Sequence, residues 1–259
     1  MPASAVPPGP RSAPGATAVL AHGAGSTAEF VRRAFPRTAL VAASVTRVVA
    51  LDDRTGDVAR VTAAVVAAAV RERAAGREVV LGGVSLGAHA AVLAADRLAS
   101  SGAPPAGLLL ALPAWSGAPD EVAAATAAAA DDVAEHGVAG VLRRLRRDPV
   151  LAGDWVVAEL ARAWPGYGDR RLVACLRAAA LSAGPADAVL RALPVPAGLV
   201  ALADDPLHPE RVARRWSTVL RTAAVEVVAR DAPAADRAVL GRAAAQALQR
   251  ARSGPGVGP

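Results

Sequence analysis

The sequence predicts an α/β protein: a mostly parallel sheet of about six strands, helices on both faces, and a helical cap insertion. Three observations predict it. Short β-branched apolar runs alternate with longer Ala/Arg-rich stretches of helical character. Strand runs such as Val79-Val80-Leu81 do not alternate with polar residues, as expected of strands buried on both sides. The segment from about Pro113 to Pro194 breaks the rhythm, because it carries helical stretches and no convincing strand.

Taken in order, the strands are expected at Thr17–Ala21, Val45–Ala50, Glu78–Val84, Gly107–Leu112, Gly198–Ala203 and Ala224–Val228. Helices fill Thr27–Phe35, Asp57–Ala75, Leu86–Ser100, Pro209–Arg221 and Ala234–Ala251 between and after them. The cap, about residues 113–194, reads as helices at Pro119–Glu135, Val138–Arg147, Asp154–Trp164 and Arg170–Ala183. It holds Trp115, Trp155 and Trp164, three of the four tryptophans. Bulky flat side chains there either bind the cap to the body or wall a substrate pocket.

Length and composition narrow the function. A chain of 259 residues fits one domain with a sizeable core, here residues 17–252. Segments 1–16 and 253–259, rich in Pro, Gly, Ala or Ser, are expected to be disordered. Aromatics reach only 3% against 53% hydrophobic residues, so small aliphatic side chains build the core. All 29 basic residues are Arg and the net charge is +6. Apart from Arg143, Arg144, Arg146 and Arg147 they are dispersed, with no interleaved aromatics to stack on bases, which argues against nucleic acid. Cys175 stands alone, excluding an intramolecular disulfide and a multi-thiolate metal site. No secretory signal or bilayer-spanning stretch is evident, so a cytoplasmic protein without membrane contact is expected.

The strongest chemical signal is Gly83-Val84-Ser85-Leu86-Gly87, a G-x-S-x-G between a strand and a helix. The turn lifts a serine hydroxyl to the carboxyl edge of the sheet, beside a helix N-terminus that favours developing negative charge. A second signal is His22-Gly23-Ala24-Gly25, directly after the first strand. The Ala24 and Leu86 amides would together form the two-donor oxyanion hole that acyl transfer needs. His22 and Gly23 support that loop.

With these motifs the chain resembles the α/β-hydrolase fold superfamily over roughly residues 17–251. A third carrier is Ala203-Asp204-Asp205-Pro206-Leu207-His208-Pro209, which is similar to the family's acid-bearing loop. The resemblance implies Asp205 as the triad carboxylate, with Asp204 beside it as an alternative. It also implies a histidine after the last strand. That loop reads Val228-Ala229-Arg230-Asp231-Ala232-Pro233-Ala234-Ala235-Asp236, and no histidine follows position 208.

A serine without a base is a weak nucleophile at neutral pH. His89 lies one helical turn beyond Ser85 and reads as a hydrogen-bonded core residue. His136 lies in the cap beside Gly137, with a helix-end or surface role as its default. His208 shares the sheet edge with Ser85 and either serves as its base or merely starts the next helix. As base it would pair with Asp205, or with Asp231 or Asp236 from the last loop. The leading reading is a serine hydrolase acting on an ester, thioester or similar carbonyl of a small apolar substrate. It needs no cofactor and no metal. A lyase- or cyclase-like enzyme reusing the pocket, and a non-catalytic protein binding a ligand or partner, are the alternatives. Oligomeric state is not legible.

Overall fold

A computed structural model describes residues 15–254. Its centre is a six-stranded, all-parallel sheet of order β2-β1-β3-β4-β5-β6. The strands are β1 Ala16–Ala21, β2 Val45–Leu51, β3 Val79–Val84, β4 Gly107–Ala111, β5 Ala197–Leu202 and β6 Ala223–Val228. All six expected strands are present, within a residue or two at their ends.

Why the four central strands carry no polar alternation is plain from their two faces. Val19, Leu81, Leu108 and Leu199 point to one side, where helices α2 (Val58–Ala74), α3 (Leu86–Ser100) and, over β5, α8 (Glu210–Val219) cover them. Leu20, Val80, Leu109 and Val200 point to the other side. There α1 (Ala28–Ala34), a 3₁₀ segment at Arg37–Ala43 and a long C-terminal helix close the layer. With both faces dry, period-two patterning has no solvent side to serve. Trp216, fully buried, is the one large aromatic anchor of the first face.

Between β4 and β5 lie α4 (Glu121–Arg147), α5 (Trp155–Ala163), α6 (Asp169–Ala180) and α7 (Asp187–Ala192), and no strand. The break expected between two cap helices is a kink inside α4 at Gly137, with φ 66° and ψ 163°. The Asp169 carboxylate accepts the Val138 amide at 2.8 Å and starts the second half afresh. After β5 come α8 (Glu210–Val219), a short α9 (Ala232–Ala235) after β6, and α10 (Val239–Ser253).

Two expectations need correcting. The helix expected at Ala234–Ala251 is broken at Asp236, whose backbone is extended and whose carboxylate accepts the Ala238 amide at 2.9 Å. The short helix α7 and the 3₁₀ segment were not anticipated. Ala16 opens β1 and Ser253 closes α10, so both fall inside secondary structure rather than in the segments expected to be disordered. The expectations for residues 1–14 and 255–259 lie outside the described residues. No helix among those described is long and apolar enough to cross a membrane.

Candidate active site

Backbone strain gathers at the carboxyl edge of the sheet. Among the described residues four non-glycine residues have positive φ, and Ser85, Leu112 and Asp204 are three of them. They follow β3, β4 and β5, so three neighbouring strands each end in an unfavourable turn above the same edge. Such conformations persist only where surrounding packing overrides their intrinsic penalty.

Ser85 has φ 53° and ψ −118°, a region almost closed to residues with a side chain. It is held there from both sides. Its amide donates to the Ala111 carbonyl at 3.0 Å, and its carbonyl accepts the Ala88 and His89 amides at 2.8 and 3.2 Å. Gly87 lets the first turn of α3 rest on β1, since a Cβ there would stand 2.1 Å from the Ala21 carbonyl oxygen. The hydroxyl consequently faces a largely apolar cavity of about 330 Å³ between the sheet edge and the cap. Ala24, Ser85, Leu86 and His208 form its floor, and Trp115, Leu160 and Trp164 stand in its walls. Neither the Ala24 nor the Leu86 amide makes a backbone hydrogen bond among the described residues.

His208 and Asp205 meet. Asp205 is buried, and its Oδ2 lies 3.1 Å from His208 Nδ1 while its Oδ1 accepts the Leu207 amide at 3.0 Å. Burial works against the Asp205 carboxylate. The hydrogen bond and charge of His208, the Leu207 amide and the charge of Arg230 outweigh it and hold the carboxyl below its usual range. Since Nδ1 donates to a carboxylate, the neutral imidazole carries its free lone pair on Nε2. Asp231 is exposed and Asp236 pairs with Arg242 at 2.7 Å, so neither serves His208. Asp204 supplies the turn that precedes the acid.

The other histidines are placed differently. His22 Nδ1 donates to the Gly23 carbonyl at 2.8 Å, and Nε2 lies 3.6 Å from Asp52. Burial lowers its pKa against the opposing effects of Gly23 and Asp52, so a neutral ring stiffens the Ala24 loop. His89 is fully buried beneath the cavity wall; its Nε2 accepts the Ala114 and Trp115 amides at 3.2 and 3.4 Å. His136 lies on the cap surface beside Glu135.

Sequence reasoning missed Tyr167, the chain's only tyrosine, whose buried hydroxyl donates to the Ser26 carbonyl at 2.6 Å and ties the cap to the Ala24 loop. Its uniqueness in the composition was the available signal. The tryptophans divide between the two expected roles. Trp115 and Trp164 wall the cavity, whereas Trp155 stacks on Phe30 and donates its indole N–H to the Arg230 carbonyl at 2.9 Å.

No family model matches the chain, and no curated protein does. Solved structures do. One is a thermophilic esterase from Thermogutta terrifontis, 18% identical, with a TM-score of 0.59 over 83% of this chain and 82% of that one. Another is a hydrolase from Pseudomonas aeruginosa, 20% identical, with a TM-score of 0.58 over 89% and 91%. A thioesterase of the prodiginine biosynthetic pathway in Streptomyces coelicolor is 22% identical, with a TM-score of 0.51 over 88% and 84%. The chain has the α/β-hydrolase fold. Within that fold its departure is the loop after β6, where the resemblance implied a histidine. Here Arg230 occupies the loop and pairs with Asp154, the N-cap of α5, at 2.7 Å. That loop braces the cap.

Proposed function

We propose that this protein is a serine hydrolase that cleaves an ester or thioester carrying a small apolar acyl group. The observation that carries the proposal is the shared cavity: a strained Ser85 hydroxyl and a carboxylate-paired His208 line the same space. His208 Nε2 takes the Ser85 proton as Oγ attacks the carbonyl carbon, and Asp205 holds the ring in the tautomer that allows it. The Ala24 and Leu86 amides receive the oxyanion, aided by the N-terminus of α3. Collapse of the tetrahedral adduct expels the alcohol or thiol, protonated by His208. Water, deprotonated by the same ring, then releases the acid and restores Ser85.

The apolar lining favours an uncharged acyl group over a phosphorylated one. A second, more polar cavity of about 350 Å³ lies across the Ala24 loop and shares Ala24 and Leu160 with the first.

Labelling with a fluorophosphonate tests the proposal. The wild type is expected to label, Ser85→Ala not at all, and His208→Ala slower by roughly 10³-fold or more, by analogy with triad dissections. Labelling of Ser85→Ala, or wild-type rates in His208→Ala, would overturn it.

A further inference from the structure

The Ser85 cavity shares part of its lining with a second space. Asp132, Val141 and Leu145, all from α4, line both this cavity and a groove of about 350 Å³ on the outer surface of the cap. The shared lining exists because α4 is folded at Gly137. Its two halves lie against each other, with Val133 of the first packed among Val138, Val141 and Leu142 of the second. Asp132 and Arg144 close the outer side with an ion pair of 3.3 Å across the fold. Val141 is buried and Leu145 half-buried, and with Asp132 they are the residues that both spaces share.

We propose that Val141 and Leu145 form a septum that fixes the longest acyl chain the site accepts. The proposal rests on reading the cavity as the acyl site of a Ser85 hydrolase. A chamber of about 330 Å³ admits only a limited number of methylene groups. Each methylene that moves from water into it improves binding about fourfold. The gain stops where the chain meets the septum. A longer acyl group must then fold back on itself or leave its tail in water, whereas a breached septum passes the tail into the outer groove. Both residues face the two spaces, and Leu145 is the better control point because it is half-buried and holds less of the cap core than Val141.

A series of p-nitrophenyl esters from acetate to palmitate tests this. For the wild type, kcat/KM is expected to rise about fourfold per methylene and then flatten or fall. In Leu145→Ala and Val141→Ala the maximum moves to longer chains, and in Leu145→Trp, which thickens the wall, to shorter ones. An unchanged profile in Leu145→Ala and Leu145→Trp, both folded by circular dichroism, overturns the septum.

Displacement of a fluorescent fatty acid by saturated carboxylates of increasing length, measured in a Ser85→Ala background, separates the two ideas. If the wild type neither turns over esters nor labels at Ser85, the hydrolase reading falls. The displacement series then decides the septum alone: a length optimum that moves with Leu145 supports it, and one that stays fixed rejects it.

Discussion

Lowering the pH should loosen this protein through His89 in particular. The ring is wholly buried between Trp115 and Trp216, with centroids 4.9 and 5.5 Å away. Because Nε2 accepts the Ala114 and Trp115 amides, Nδ1 carries the proton, and charging the ring would replace both acceptor bonds with a buried cation. Burial first, and then the charge of His208, push the His89 pKa from 6.5 down to about 3. The unfolded chain therefore binds a proton below about pH 6.5 that the native state refuses until about pH 3, so stability rises with pH across that window. Each pH unit of the gap is worth about 1.4 kcal/mol, which gives a loss of about 2 kcal/mol between pH 7.5 and pH 5 from this residue alone. His89→Gln keeps an acceptor for the two amides and cannot charge. Urea denaturation of both proteins at the two pH values isolates the residue from all other titrations. The wild type should lose about 2 kcal/mol more than His89→Gln. Equal losses would show that His89 is protonated in the folded state, and the assigned hydrogen-bond pattern would be wrong.

Other perturbations act on the same architecture. Gly87→Ala places a Cβ 2.1 Å from the Ala21 carbonyl oxygen, so α3 must retreat from β1 and carry Ser85 with it. A stability loss of about 1–3 kcal/mol together with lost fluorophosphonate labelling is expected; normal labelling would show that Ser85 does not depend on this close approach. Gly137→Ala forces a side chain into a backbone region reserved for glycine and brings its Cβ 3.0 Å from Asp169 Oδ2. It should cost about 1–3 kcal/mol in a thermal melt, and an unchanged Tm would refute the strain argument. Arg230→Ala strips the charge partner from the buried Asp154 while leaving its N-cap bond to the Val156 amide at 2.8 Å. Because Arg230 is one-third exposed, a loss of about 1–2 kcal/mol is expected in urea denaturation, less than for a fully buried pair. A change within a few tenths would remove its bracing role.

Much of this architecture was legible in the sequence, for reasons that can be traced to particular residues. Val79-Val80-Leu81 running into Gly83-Val84-Ser85-Leu86-Gly87 encodes a buried strand, a turn and a helix start in one stretch, so local chemistry alone located Ser85. The Asp205–His208 pair was only one of the pairings the sequence left open beside Asp231 and Asp236, and the fold of the β5 loop selects it. The walls of the cavity were not legible. Leu160, Val141 and Leu145 look like ordinary apolar positions of amphipathic helices, and only tertiary packing decides that their faces border an empty space. The strained turn at Leu112 left no trace either, since leucine is a poor choice for positive φ and nothing in its neighbours announces that His89 will hold the segment beyond it. The break at Asp236 was hidden by strong helical propensity on both sides of it.

Two loops divide the carboxyl edge of the sheet between them. An acid after β5 and a base after β6 would require the last loop to point into the cavity. Here that loop and the residues after it are tied to α5: the Arg230 carbonyl takes the Trp155 indole, the Arg237 guanidinium stacks over the same ring at 5.1 Å, and Arg237 also bonds Glu159 at 2.9 Å. Each contact holds α5, and α5 contributes Leu160 to the cavity wall. With the last loop committed to the cap, the β5 loop carries both the carboxylate and the imidazole. One loop then sets the Asp205–His208 geometry, and movement of the cap need not disturb it. The Asp205–His208 pair and the cap residues that line the cavity therefore rest on different elements. If the proposed hydrolase reading holds, substitutions along α4 and α5 are expected to alter chain-length preference while leaving the hydrogen bond between Asp205 and His208 intact.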